Sequence, residues 1–159
     1  MNLLELMDRG WIKARLQAET KNDAIKELVD LLAENGALAD PAAALQAVLE
    51  REKVRSTGIG QGIALPHGKC PHGRKPVIAI GLKPAGLDFE SVDARPADII
   101  VLMVSPSNQV AQHIQALARI SRFLSLDDFR RALRKATTTD EIYEALRRKE
   151  EEEAAATME

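Results

Sequence analysis

One histidine is placed to do chemistry: His67, near the end of the stretch RSTGIGQGIALPHGK, residues 55–69. Gly58, Gly60 and Gly62 occupy every second position before it. Glycine at alternating positions removes side chains from one face of an extended segment and lets another group approach the backbone closely. The spacing alone is equally typical of a kinked strand packed beneath a helix, so it does not decide between the two.

Pro66 and Gly68, on either side of His67, favour a chemical role. Proline fixes its own backbone and favours an extended Leu65, which predicts a histidine held rigidly at a strand end. Neutral imidazole, with an ordinary pKa of about 6.5, is a nucleophile that can carry a covalent intermediate. Backbone N–H groups of the glycine-rich turn could then bind a phosphoryl group.

A second histidine, His113, falls within a predicted helix. Its apolar stripe is shared with Val110, Leu117, Ser121 and Leu124. This spacing alone favours a histidine buried in the core. If His113 lies beside His67, however, it could stabilise the charge of a group in transfer.

Arg51 could bind phosphoryl oxygens, which a guanidinium does bidentately. It also lies near the end of a predicted helix, where a cation suits the helix dipole equally well. Arg55 is a weaker candidate for the same role. Ser56 and Thr57 could donate hydroxyl groups, but their position predicts turn residues.

Cys70 and His72 form the pattern H-x-x-C-x-H with His67, and imidazole and thiolate are ligands that suit zinc. The spacing is crowded, Pro71 stiffens the loop, and the sequence offers no evident fourth ligand. We therefore expect no metal site, and we expect His72 in a loop facing solvent.

Alternating helix and strand patterns must position these residues. Thr20 and Asp40 precede two predicted helices, and the apolar runs 76–82 and 98–104 predict buried strands. Three further helices are predicted to start near Asn108, Ser125 and Thr138. This order predicts one layered α/β domain, with a sheet covered by helices on both faces.

The bulk composition limits the class of protein. The chain has 159 residues, of which 45% are apolar and 3% aromatic, and its net charge is −2. One domain with an aliphatic core follows from the length, and the balanced charge argues against a nucleic-acid partner. A single cysteine, no secretory signal and no run of about 20 apolar residues predict a cytoplasmic protein without membrane insertion.

The end of the chain is acidic, with four glutamates at positions 150–153. We expect residues 1–148 to form the domain and residues 149–159 to form a solvated, frayed tail.

The motif STGIGQGIALPHGK resembles the signature of the type 2 enzyme IIA domain of the phosphoenolpyruvate-dependent sugar phosphotransferase system, the mannitol, fructose and nitrogen-regulatory class. The resemblance extends to residues 21–38, 49–60, 86–104 and 112–133. It implies a mixed sheet of about five strands. It also implies that His67 is phosphorylated on Nε2, that His113 is the second site histidine and that Arg51 is the site arginine.

The implied function is that of a phosphocarrier without metal or organic cofactor. The phosphocarrier protein HPr, or a paralogue, would donate to His67, and a IIB component or a regulatory target would follow. The motif is more similar to the nitrogen-regulatory and fructose branches than to the mannitol branch, and we favour regulation. The alternative is a regulator that binds proteins and has lost the chemistry.

Two positions depart from the family pattern. Ala94 stands where the family usually has glycine, and VSPSNQVAQ, residues 104–112, is less acidic than usual before the second histidine. We expect the first to matter little for the chemistry and the second to alter the rim of the site.

Overall fold

A six-stranded mixed sheet forms the centre of the computed structural model, which describes residues 1–157. The strands are β1 (Ile12–Lys13), β2 (Gly58–Gly60), β3 (Ile63–Ala64), β4 (His67–Cys70), β5 (Val77–Leu87) and β6 (Ala97–Pro106). Their order is β1-β5-β6-β3-β2, and β4 also pairs with β6. The pairs β2–β3 and β5–β6 are antiparallel, whereas β1–β5, β3–β6 and β4–β6 are parallel. The expected mixed α/β sheet is confirmed, with six strands where about five were expected.

Five helices and two short 3₁₀ helices surround the sheet. The α-helices are α1 (Lys21–Glu34), α2 (Pro41–Val54), α3 (Val110–Leu124), α4 (Asp127–Lys135) and α5 (Thr139–Thr157). The 3₁₀ helices are Leu3–Leu6 and Arg9–Trp11. Among residues 1–157, none of the helices is long and apolar enough to span a membrane.

Helix ends follow the capping residues of the sequence in most cases. The Thr20 side chain accepts a hydrogen bond from the backbone N–H of Asp23, and Asp40 accepts one from Ala43. Helix α1 ends at Glu34, and the chain turns away at Gly36, whose φ of 70° suits glycine. The helix predicted to start near Ser125 begins at Asp127 without a side-chain cap, because the Ser125 hydroxyl donates backwards to the carbonyl of Arg122 in α3.

The central strand β6 explains why both faces of the sheet are buried. Its side chains alternate between two apolar clusters. Ile99, Val101 and Met103 pack on the side of α3, α4 and α5, whereas Ile100, Leu102 and Val104 pack on the side of α1 and α2. A strand covered on both sides needs apolar residues at every position, which explains the unbroken apolar run of residues 98–104.

Strands β3 and β4 act as one interrupted strand along β6. Ile63 pairs with Ile99 and His67 with Met103, so the pairing keeps one register across the break. Pro66 occupies the break and still accepts a hydrogen bond from Met103 through its carbonyl. On the other side of β4, a Cβ at Gly68 would lie 2.9 Å from the backbone nitrogen of Val48. Glycine at this position therefore lets α2 pack directly against β4.

The expected frayed tail from residue 149 differs from the structure, because α5 continues to Thr157. Glu150 is 4% exposed, forms an ion pair with Arg119 of α3, and accepts a hydrogen bond from the backbone N–H of Leu3. Lys149 is buried too and pairs with Asp128 of α4. The helix thus crosses the expected boundary at 148 because it docks on α3 and α4. Residues 158 and 159 of the expected tail lie outside the described residues.

This docking predicts that the acidic segment stabilises the fold. Deleting residues 149–159 removes the partner of the Arg119 guanidinium and of the Leu3 N–H, and we expect the free energy of unfolding to fall by about 2–4 kcal/mol. Chemical denaturation measures the effect. Deleting only residues 154–159 is the matched control and should cost less than about 0.5 kcal/mol. Equal stability of both truncated proteins and the full chain would contradict the prediction.

Candidate functional site

His67 begins β4 at the edge of the sheet, with its ring half-buried. Its Nδ1 lies 2.9 Å from the carbonyl oxygen of Leu65, two residues earlier. A carbonyl oxygen can only accept, so Nδ1 carries the proton and donates. In the neutral ring this leaves the lone pair on Nε2, which is the nucleophilic nitrogen. The Leu65–Pro66 break between β3 and β4 therefore fixes both the position and the tautomer of the ring.

His113 reaches the same place from α3. Its ring centroid lies 5.6 Å from that of His67, with the planes at 52°. The side chain is 5% exposed, and its Nδ1 lies 2.7 Å from the hydroxyl oxygen of Ser105 at the end of β6. The buried stripe of α3 passes through His113, Ala116 and Ile120, not through the predicted Val110. The burial expected from spacing and the proximity expected from the resemblance both occur.

Arg51 lies with both histidines in a groove of about 480 Å³ between α2, β4 and α3. One nitrogen of its guanidinium donates to the carbonyl oxygen of Arg55, 2.9 Å away, just beyond the end of α2. The groove thus contains all three predicted site residues. The groove also contains Lys69, which the sequence analysis did not select as a site residue. Lys69 lies two positions after His67, and residues two apart in a strand lie on the same face, so the sequence did carry an indication of its place.

Burial and positive charge keep both imidazoles neutral. The pKa of His67 is lowered from 6.5 mainly by burial, and further by Arg51 and Lys69, whereas its hydrogen bond to Leu65 acts in the opposite direction. The pKa of His113 is lowered to about 4 by burial first, and then by His67 and Lys69. At neutral pH the groove therefore holds two uncharged rings beside two cationic side chains.

The glycine-rich turn does not lie at His67, contrary to the expectation of an anion site there. Ile63, next to the turn, is four residues from His67, or about 13 Å along a strand. The backbone N–H of Gln61 donates to Asp93, and Arg134 binds the carbonyl of Gln61. The turn joins β2 to β3, and the Gln61 amide is bound by Asp93 there, not by a group at the histidines.

The weaker sequence candidates have structural partners elsewhere. The hydroxyl of Ser56 donates to the carbonyl of Phe89, and that of Thr57 donates to buried Glu52. Both residues lie in the segment between α2 and β2. Cys70 is buried, and its thiol donates to the carbonyl of His72. Across residues 1–157, no three His, Cys, Asp or Glu side chains gather where they could hold a metal ion.

The lowered pKa of His113 predicts a pH-dependent stability. The unfolded chain binds a proton at this residue near pH 6.5, whereas the folded protein binds it only near pH 4. Stability is therefore lost as the pH falls through this window. Between pH 7 and 4.5, wild type should lose about 2 kcal/mol more free energy of unfolding than His113→Gln. Denaturant titrations at both pH values test this, and equal losses in the two proteins would contradict it.

The chain is similar to both transport and regulatory proteins. It is 35% identical over 146 residues to the PTS system fructose-specific EIIABC component of Bacillus subtilis, covering 92% of this chain but only 23% of that protein. It is 36% identical over 127 residues to the PTS system fructose-specific EIIA component of Haloferax volcanii, covering 80% and 82%. It is 34% identical over 146 residues to a nitrogen regulatory protein of Bradyrhizobium diazoefficiens, covering 92% and 95%.

Solved structures share the fold. Nitrogen regulatory protein IIA-Ntr from Neisseria meningitidis superposes with a TM-score of 0.81 at 25% identity, covering 89% of this chain and 97% of that one. Enzyme IIAMTL, in its complex with phosphorylated enzyme IIBMTL from Escherichia coli, gives 0.72 at 26% identity, covering 89% and 98%. The family model for the EIIA 2 component matches residues 5–149. The chain therefore belongs to the EIIA 2 family of the phosphoenolpyruvate-dependent sugar phosphotransferase system.

Proposed function

We propose that the protein is a phosphocarrier that accepts a phosphoryl group on Nε2 of His67 and passes it on. One observation carries this proposal: the Nδ1–H of His67 is held by the Leu65 carbonyl, which directs the lone pair of a neutral ring to Nε2. The groove around it adds His113, Arg51 and Lys69. This is the arrangement expected for a nucleophile that receives an anionic group.

The transfer needs no external acid or base. Nε2 of His67 attacks phosphorus and forms the new P–N bond, while the P–N bond of the donor phosphohistidine breaks and its electron pair returns to the donor nitrogen. No proton changes hands, so the phosphorylated ring keeps its Nδ1–H and gains positive charge. The hydrogen bond to the Leu65 carbonyl oxygen, 2.9 Å away, stabilises that charge.

The neighbours of His67 supply charge stabilisation. The phosphoryl oxygens carry the negative charge, and Arg51 and Lys69 line the same groove and act electrostatically on His67. His113 stands with its ring centroid 5.6 Å from that of His67, where a ring N–H can reach a phosphoryl oxygen. Positioning and electrostatics of this kind account for most of the catalysis in phosphoryl transfer.

Partner proteins would dock around the groove. Val54, 81% exposed, lines it, and Ile114, 60% exposed, follows His113 directly in α3. Exposed aliphatic side chains beside a charged site are typical of a protein-binding surface. We propose HPr or a paralogue as the donor and a IIB component or a regulatory target as the recipient. The complex of a related IIA with phosphorylated IIB supports the IIB component.

Phosphorylation is tested directly by incubation with phosphoenolpyruvate, enzyme I and HPr, followed by intact-mass measurement. We expect an acid-labile gain of one phosphoryl group in wild type and none in His67→Ala. His72→Ala removes the third histidine and is the matched control, so it should label like wild type. His113→Ala should label to the same end point but more slowly. Failure of wild type to label would favour the alternative, a regulator that only binds proteins.

Within the family, we propose a nitrogen-regulatory type of use. The TM-score of 0.81 with a nitrogen regulatory protein exceeds the 0.74 and 0.72 obtained with two structures of mannitol IIA. A chase experiment separates the two uses: the phosphorylated protein is isolated and mixed with a fructose-type IIB domain. A regulatory protein should retain its phosphoryl group over minutes. Complete transfer to the IIB domain within seconds would instead establish a transport role.

A further inference from the structure

Ser105 is a buried polar residue that the phosphoryl-transfer chemistry described so far does not use. It lies at the end of β6, paired in register with Lys69 of β4, and its exposure is 0%. Its hydroxyl oxygen lies 2.7 Å from Nδ1 of His113. A hydroxyl in the protein interior is costly unless it is hydrogen-bonded, so this contact decides where its proton lies.

The proton of this hydroxyl has one acceptor available. Within residues 1–157, Nδ1 of His113 is the hydrogen-bond partner of the Ser105 side chain, with no second one. If Nδ1 carried a proton and donated it, the serine O–H would be left as a buried donor without an acceptor, at a cost of about 1–3 kcal/mol. If the serine donates to the Nδ1 lone pair instead, both groups are satisfied. The second arrangement is therefore the stable one.

We propose that Ser105 is a positioning residue that fixes His113 in the tautomer with its proton on Nε2, so that His113 acts as a hydrogen-bond donor to the phosphoryl oxygens. The last step rests on the proposed phosphocarrier function, whereas the assignment of the tautomer does not.

The two histidines then carry opposite tautomers. His67 donates from Nδ1 to the Leu65 carbonyl and keeps a lone pair on Nε2. His113 accepts at Nδ1 from Ser105 and keeps an N–H on Nε2. The groove thus presents one nucleophilic nitrogen for phosphorus and one N–H donor for its oxygens. Because the pKa of His113 is about 4, the ring is neutral at pH 7 and would lose its free N–H in the other tautomer.

The tautomer is measured on the unphosphorylated full chain by two-bond ¹⁵N–¹H correlation spectra of the histidine rings at pH 7.5. His113→Gln identifies the His113 signals by their loss. We expect His113 with a protonated Nε2 and an unprotonated Nδ1, and His67 with the reverse pattern. A His113 spectrum with protonated Nδ1 would overturn the proposal whatever the result of the phosphorylation assay.

Ser105→Ala tests the role in transfer, with Ser107→Ala as the matched control on an exposed serine two residues later. In Ser105→Ala, the His113 ring signals should move towards a mixture of tautomers. The initial rate of labelling by phospho-HPr should fall about tenfold, as when the partner that orients a functional imidazole is removed. The end point should not change. Ser107→Ala should match wild type in both readouts.

Ser105→Thr keeps the hydroxyl and should restore both the tautomer and most of the rate. Thermal unfolding of each variant shows whether it is folded, and the tautomer spectrum reports on the ring independently of the rate. If Ser105→Ala keeps the wild-type tautomer and the wild-type rate, the proposal is wrong. If wild type itself does not label, the phosphocarrier function fails, and the spectra still decide where the Ser105 proton lies.

Discussion

The pairing of residues 63–70 along one edge of β6 is the constraint on which the site depends. It places His67 opposite Met103 and Lys69 opposite Ser105, on the face of the sheet that α3 covers. A slip of one residue would turn the imidazole towards α2, because side chains alternate along a strand. The close packing of α2 on Gly68 opposes such a slip, since any side chain turned to that face would meet the helix backbone.

Burial and the two nearby cations both lower the pKa of His67, whereas the Glu52 carboxylate acts in the opposite direction. Arg51 and Lys69 disfavour a protonated His67 and therefore preserve its lone pair at neutral pH. The same two cations favour an anionic phosphoryl group once it has arrived. Under the proposed function, each cation therefore acts favourably both before and after transfer.

Local features were predictable from the sequence, and distant ones were not. The caps at Thr20 and Asp40 and the buried strands 76–82 and 98–104 depend on neighbouring residues, so pattern and spacing revealed them. The cluster of His67 with His113 joins residues 46 positions apart, and the resemblance to a family, not the spacing, indicated it. Ser105 carries no sequence signal, because a serine at a strand end becomes informative only when α3 is seen packed on it.

Ala94 and Glu150 show two further limits. Ala94 has a φ of 61°, a left-handed backbone that glycine adopts more easily, which gives a physical reason for the glycine usual in the family. Glu150 looked like part of a solvated acidic run, but it is buried against Arg119 and the Leu3 N–H. That bond joins residues 147 positions apart, so the helix at Leu3–Leu6 cannot gain this partner until α5 has been synthesised. Closing so long a loop costs entropy, so we expect this contact to form late in folding.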